Sequence, residues 1–290
     1  MRIILAGATG FLGRKLLKRL LESGHSVLCP VFNGNLDEFS VHSGCKIVST
    51  EDVVFTETVQ LFGAEIVINA SGVYDRRGIP VARLTEGNII FPLRLLNTIL
   101  EISVGGEFRM WINSCTSLPE YLDTYTMSKY QLAHWGRIYA ERHDFTFTNV
   151  LLEHFYGPFD KNVKFIQFVL ENLFANECIN LTAGLQERDF IYVDDVVDGY
   201  MAILRGDLKG YNDISLGSGE CVAIRTLVEF LKQQIGSSSV LNFGVVPLRE
   251  SEPMHLIADL TVMRSLGFTP KYDWQEGMKR TIDEMRRVFL

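Results

Sequence analysis

The sequence predicts a doubly wound α/β fold, a parallel sheet with helices on both faces, joined to a smaller mixed α/β lobe. Two observations carry this. Short apolar runs alternate with longer stretches of helical spacing from Arg2 to Leu152. The first run, Arg2 to Ala6, leads straight into Gly7-Ala8-Thr9-Gly10-Phe11-Leu12-Gly13, after which Leu12, Leu16, Leu17, Leu20 and Leu21 repeat at helical spacing. Strand, glycine turn, helix is the setting in which backbone approaches a ligand closely and a helix N-terminus faces a diphosphate. The Gly-x-x-Gly-x-x-Gly spacing differs from the commoner Gly-x-Gly-x-x-Gly, and its plain alternative is a tight strand-to-helix turn. With the strand before it and the leucine-rich helix after it, dinucleotide binding in a Rossmann-type domain is expected.

The 290 residues are 47% hydrophobic and 22% charged, enough for one main domain and a smaller lobe. Net charge is −7 and no basic tract stands out, which argues against nucleic acid as a partner. Five scattered cysteines without a Cys-x-x-Cys fit reduced thiols rather than a disulfide scaffold or a zinc site, and no metal is expected. Met1 leads into a strand, so no signal peptide is expected. No apolar run approaches the ~20 residues that span a bilayer. A soluble cytoplasmic protein is the expectation.

The elements follow in order. Ser23-Gly24-His25 stops the first helix, and Ser26 to Phe32 is the second strand. An acidic residue near its end would hold the ribose 2′-OH of NAD. Cys29 to Asn35 supplies none, and no arginine follows closely, so the missing acid points to NADP while NAD remains open. Lys46 to Val48 is a third strand, and Glu51-Asp52 is either an adenine contact or a solvated turn. Thr56 to Phe62 is a helix. Ala64 to Asn69 is the fourth strand, ending in Ala70-Ser71-Gly72, small residues against which a cofactor could lie. Leu84 to Ile102 is a long helix carrying Asn88, with a kink or late start expected at Pro92. Phe108 to Asn113 is the fifth strand, followed by Ser114-Cys115-Thr116-Ser117, then a helix from Asp123 to His143 and a sixth strand from Phe145 to Leu152.

The regularity breaks at Glu153-His154-Phe155-Tyr156-Gly157-Pro158. Beyond it come a helix (Val163 to Ala175), a short strand (Cys178 to Leu181), Arg188 to Asp195, and a helix capped by Asp194 that runs to about Leu204. A strand (Tyr211 to Leu216), a helix (Ile224 to Ile235), a mixed segment and a final helix from about Trp274 complete the chain. No linker separates the lobes, so they interleave.

Tyr125 and Lys129 stand four residues apart on one helical face. A fixed ammonium beside a phenol stabilises phenolate and brings the tyrosine toward the working range of an acid–base catalyst. The ordinary alternative is an amphipathic face with a snorkelling lysine. After five strand–helix units and a glycine-rich first turn, chemistry is the better reading.

These features together resemble the extended short-chain dehydrogenase/reductase family, in its sugar-nucleotide epimerase/dehydratase branch. Gly7 to Gly13, Asn88, Tyr125 with Lys129, the Tyr156-Gly157-Pro158 turn, the Arg188 to Asp195 segment and Leu266-Gly267-Phe268-Thr269-Pro270 all carry the likeness. The resemblance implies NAD(P) binding by residues 1–153 (Gly7, Thr9, Gly10, Phe11, Leu12, Gly13, Ala70, Ser71, Gly72, Asn88, Tyr125 and Lys129) and a mainly substrate-binding lobe over 154–290. It implies a catalytic hydroxyl at the end of the fifth strand. Ser114 takes that place, with Thr116 as competitor. His154, Lys164 and Arg188 are further candidates for the sugar nucleotide, Arg188 because a guanidinium binds phosphate bidentately. Each has a structural alternative: a packed histidine, or an ion pair with a nearby acid. By analogy the two long helices imply a homodimer.

The departures narrow the reaction. A dehydratase of this branch uses an adjacent Asp-Glu pair, and Cys115 and Thr116 stand there instead. Neither is a good general acid at neutral pH. The short Asn113-Ser114-Cys115-Thr116-Ser117-Leu118-Pro119 loop resembles the CDP-abequose/CDP-paratose synthase group, reductases of 4-keto dideoxysugars. The implied activity is NAD(P)H-dependent reduction of a nucleotide-linked 4-keto sugar in deoxysugar or polysaccharide synthesis. A 4-epimerase is the nearest alternative, and a non-catalytic NADP-sensing or partner-binding member is another.

Overall fold

The computed structural model describes residues 1–32, 44–74, 78–101, 107–160 and 164–289. Asn33 to Asn35, which bear on the ribose contact, lie outside them, as do Ile102 and Val163, the expected ends of two helices.

Most of the short apolar runs are strands buried along almost their whole length; the edge run Cys45–Ser49, with only Val48 buried, is the exception. β1 (Arg2–Ala6) leads through the glycine turn into α1 (Phe11–Glu22), then β2 (Ser26–Val31), β3 (Cys45–Ser49), α2 (Phe55–Phe62) and β4 (Ile66–Asn69). The long helix expected over 84–102 comes in parts: α3 (Val81–Thr85), a π turn (Glu86–Ile90) and α4 (Phe91–Leu100). Pro92 explains the break. It has no N–H for the carbonyl of residue 88, and its ring would collide with that carbonyl in a regular α-helix, so the backbone widens one turn earlier. β5 (Met110–Thr116), α5 (Thr124–Arg142) and β6 (Thr146–Leu152) complete the alternating part.

The remaining elements are β7 (His154–Tyr156), α6 (Phe165–Ala175), β8 (Ile179–Leu181), β9 (Glu187–Tyr192), α7 (Val193–Arg205), β10 (Tyr211–Leu216), β11 (Cys221–Ala223), α8 (Ile224–Ile235), β12 (Leu241–Phe243), β13 (His255–Leu256), α9 (Thr261–Ser265) and α10 (Trp274–Phe289). One expectation needs correction. Asp194 lies inside the first turn of α7 rather than capping it, because β9 runs directly into the helix at Val193.

Seven strands form the main sheet in the order β10-β6-β5-β4-β1-β2-β3. The pairings from β3 through β2, β1 and β4 to β5 are parallel. The strand order reverses between β1 and β4, which opens the crevice where doubly wound sheets bind ligands. The chain divides into two compact units: 1–151 with 206–214, and 152–205 with 215–290. The first buries Ile4, Leu28, Val67, Leu95, Leu96, Trp111 and Phe147. The second has its own core, including Val169, Leu173, Phe190, Tyr192, Leu227, Met278 and Ile282. Four of its strands form a second sheet around β9, with β11 antiparallel and β7 and β13 parallel to it, and β8 pairs with β12 in a separate parallel ribbon.

Candidate active site

The glycine turn is built too tightly for side chains. Gly7 has φ +82°, and a Cβ on it would sit 2.6 Å from the backbone of Ala70 and Ser71. A Cβ on Gly13 would sit 2.0 Å from the Gly7 carbonyl oxygen. The first requirement joins the turn to the β4 loop; the second lets α1 start directly under it. Gly10 is the N-cap and gives α1 no side-chain cap. The half-buried Phe11 and buried Leu12 begin the helix, and the Thr9 carbonyl accepts a hydrogen bond from Arg14 Nε at 2.8 Å. A helix N-terminus without a side-chain cap, reached through glycines packed on backbone, fits the diphosphate of a dinucleotide.

The catalytic candidates stand on α5, whose start is fixed by a reciprocal cap. Asp123 Oδ1 accepts from the Thr126 N–H at 2.8 Å, and Thr126 Oγ1 accepts from the Asp123 N–H at 3.1 Å. Tyr125 therefore lies in the first turn, where the helix dipole favours negative charge. Its ring contacts that of Tyr74, centroids 4.6 Å apart. Lys129 is wholly buried, and its ammonium donates to the Ser71 carbonyl at 3.2 Å. Burial pulls its pKa below the ordinary lysine value, and the nearby Cys115 acts weakly the other way.

Asn88 sits in the π turn and clamps the β4 loop. Its Oδ1 accepts from the Val73 N–H at 2.7 Å, and its Nδ2 donates to the Val73 carbonyl and to Ser128 Oγ, both at 2.9 Å. Ser128 Oγ in turn donates to the Tyr125 carbonyl at 2.7 Å. A Cβ on Gly72 would stand 3.7 Å from Lys129 Nζ and 3.8 Å from Asn88 Oδ1. The structure thus brings Ala70 to Gly72, Asn88, Tyr125 and Lys129 together in one unit with the glycine turn.

Ser114 and Thr116 are buried at the C-terminal end of β5. Thr116 Oγ1 accepts from the Leu118 N–H at 3.2 Å and so shapes the loop that follows. Cys115 between them is 4% exposed, and burial pushes its thiol pKa up, which leaves it a packing residue.

The other candidates belong to the second unit. His154 packs edge-on to Phe190 at 5.6 Å, and its buried Nδ1 has no hydrogen-bond partner. Lys164 pairs with Asp160 at 3.0 Å and lies over the Phe155 ring, 3.6 Å from its centroid. Arg188 is buried in an ion pair with Glu252 and donates to the Glu187 carbonyl at 2.8 Å. Arg249 Nε also donates to Glu252, at 2.8 Å.

With the geometry in place, comparison with known proteins is decisive for the family. Residues 3–217 match the model of the NAD dependent epimerase/dehydratase family. The chain belongs to the NAD-dependent epimerase/dehydratase family. A CDP-abequose synthase of Salmonella typhimurium is 30% identical over 98% of both chains. Among solved structures, a UDP-glucuronic acid 4-epimerase from Bacillus cereus, with UDP-4-deoxy-4-fluoro-glucuronic acid and NAD, aligns over 99% of this chain and 100% of its own at TM-score 0.87 and 21% identity. The UDP-glucose 4-epimerase of Thermotoga maritima aligns over 100% of both at TM-score 0.83 and 21% identity. These structures share the fold.

For an epimerase/dehydratase-family chain, two features of the structure escape the sequence reading. One is Arg249 with Glu252, which makes Arg188 part of a two-guanidinium cluster. The nearest signal was the Arg249-Glu250-Ser251-Glu252 run, whose charges reveal nothing about a partner 64 residues away. The other is Tyr74, which has no sequence motif linking it to Tyr125.

Proposed function

We propose that this chain reduces a nucleotide-diphosphate-linked 4-keto deoxysugar, with NADPH as the reductant. The observation that carries the reading is the end of β5. Ser114, Cys115 and Thr116 stand there with no carboxylate, while Tyr125 and Lys129 are anchored on α5 and Asn88 clamps the facing loop. Proton donation to a carbonyl oxygen is available from such a set; acid–base expulsion of water is not. The similarity to CDP-abequose synthases over nearly the whole chain supports a place in deoxysugar synthesis.

A bound nicotinamide cofactor supplies the hydride that reaches the keto carbon. The residues of this chain do the rest. The Gly7 to Gly13 turn and the α1 N-terminus hold the diphosphate. Ser114 donates a hydrogen bond to the keto oxygen and orients it. Tyr125 carries a proton at Oη and gives it to that oxygen as negative charge develops there. Lys129 and the start of α5 stabilise the phenolate left behind. Considered by itself, the second unit offers Arg188, its guanidinium held in place by Glu252, as a candidate for binding a diphosphate.

The test is NADPH oxidation, followed by absorbance, with CDP-, dTDP-, GDP- and UDP-linked 4-keto-6-deoxysugars. Stoichiometric oxidation with at least one of them is expected. No oxidation with these ketones, together with interconversion of the two C4 epimers of a 4-hydroxy sugar nucleotide without net change of cofactor, would instead establish a 4-epimerase, and loss of water from a 4-hydroxy sugar nucleotide would establish a dehydratase.

A further inference from the structure

Four polar side chains cross the interior of the main sheet in a single row. Asn69 on β4 lies directly opposite Asn113 on β5, and Asn69 Nδ2 donates to Asn113 Oδ1 at 2.9 Å. Asn113 Nδ2 donates to Asn149 Oδ1 on β6 at 2.9 Å, and Asn149 Nδ2 donates to Asp213 Oδ1 on β10 at 2.8 Å. The three asparagines are 0–1% exposed. Asp213 is half-exposed, accepts from Tyr211 Oη at 2.7 Å and pairs with Arg137 at 3.4 Å.

The row has a direction. Every amide nitrogen points toward the Asp213 carboxylate and every amide oxygen points away from it. At the other end, Asn69 Oδ1 accepts from Ser71 Oγ at 2.6 Å and from the Ser71 N–H at 3.3 Å. Ser71 is the residue whose carbonyl accepts the Lys129 ammonium. Amide dipoles aligned by a fixed charge strengthen one another, and inside a sheet their field is poorly screened. The neighbouring row, Trp111, Phe147 and Tyr211, is aromatic and stacked, so packing alone does not call for amides here.

We propose that Asn69, Asn113, Asn149 and Asp213 form a positioning relay. It holds the Ser71 carbonyl where Lys129 needs it and presents the negative ends of its amides toward that ammonium. Asp213, three strands away, thereby tunes the pair Lys129–Tyr125. Among the described residues, the titratable groups near Lys129 are the Cys115 thiol from β5 and Tyr125 from its own helix. The π turn and the β4 loop add the uncharged Asn88, Ser71 and Gly72, and the β4 loop also brings the titratable Tyr74 against the Tyr125 ring.

Two variants of the full chain test this. Asn113→Leu keeps the volume and cuts the relay. Asp213→Asn keeps the Oδ1 acceptor for Asn149 and Tyr211 while removing the charge and, at the exposed edge, the ion pair with Arg137, so it reports even if the first variant fails to fold. The readout is the titration of the Lys129 ε-carbon in protein labelled with 13C-lysine, assigned with Lys129→Met and recorded without substrate. A weaker field at the ammonium lowers its midpoint, by roughly half a pH unit or more. The kinetic arm rests on the reductase reading. There kcat falls about tenfold with KM within about twofold. If both variants leave the Lys129 midpoint where the wild type has it, the relay is only structural and the proposal falls. If the wild type turns over no 4-keto sugar, the reductase reading fails while the carbon titration still decides the relay.

Discussion

At the scale of single residues, the site depends on one costly side chain. Lys129 places an ammonium in a fully buried position with the Ser71 carbonyl as its hydrogen-bond acceptor. Desolvation of that charge is unfavourable, which is the cause of its lowered pKa. Lys129→Met should therefore abolish turnover and yet raise the melting temperature by about 2–4 °C at neutral pH. The sign follows from linkage. Between the lowered native pKa and the ordinary value of 10.5, the unfolded chain binds the Lys129 proton more tightly, so the penalty that Lys129 imposes on the native state shrinks as pH rises there. The advantage of the variant should shrink over that range in urea titrations. Tyr125→Phe removes only the proton donor. We expect kcat to fall by about 10²–10⁴-fold with cofactor affinity unchanged in fluorescence titration. Near-normal turnover would remove Tyr125 from its role.

At the scale of elements, local chemistry decides where each side chain is presented. The Asp123–Thr126 cap starts α5 just before Tyr125 and leaves Lys129 one turn further in. Pro92 forces the π turn that carries Asn88. The glycine turn is fixed by backbone contact, and Gly13 is its least forgiving position. Gly13→Ala would bring a methyl to 2.0 Å from the Gly7 oxygen, so the turn must shift. Cofactor affinity should drop at least tenfold by titration, with a stability loss of about 1–3 kcal/mol. Much of this was legible beforehand. The glycine spacing, the Tyr125–Lys129 spacing and the strand and helix cores all come from short-range patterns. The helix split at Glu86 was not legible in type, because a proline predicts a disturbance without saying which geometry relieves it. Asp194 misled for a related reason: an aspartate before an apolar run reads as a cap whether or not a strand enters the helix directly.

At the scale of the whole molecule, each unit is closed by contacts between residues far apart in sequence. Asp189 is the clearest case in the second unit. Its Oδ1 accepts from the Ser218 N–H and hydroxyl, and its Oδ2 from the N–H groups of Gly219 and Ala258. Asp189→Asn can keep one side of this set and must leave the other facing an NH₂ group. Urea unfolding at pH 7 should show a loss of about 2–3 kcal/mol. An unchanged midpoint would mean that the turn at Gly217–Gly219 re-forms around other acceptors. Among the described residues, no helix is long and apolar enough to cross a membrane.

The sequence by itself determined the alternating fold, the glycine turn, the Tyr125–Lys129 spacing and the absence of an Asp-Glu pair at the end of β5. Each is a matter of residue type at short spacing, which the helix and strand periods convert directly into position. Only the tertiary structure decided that Arg188 is shared with Glu252 and Arg249, that Tyr74 lies on Tyr125, and that Asn69, Asn113, Asn149 and Asp213 make one row. Those facts depend on strand order and register, which bring together residues with no spacing rule between them. The apolar pattern that sets the register records which side chains are buried and leaves open which buried amide meets which.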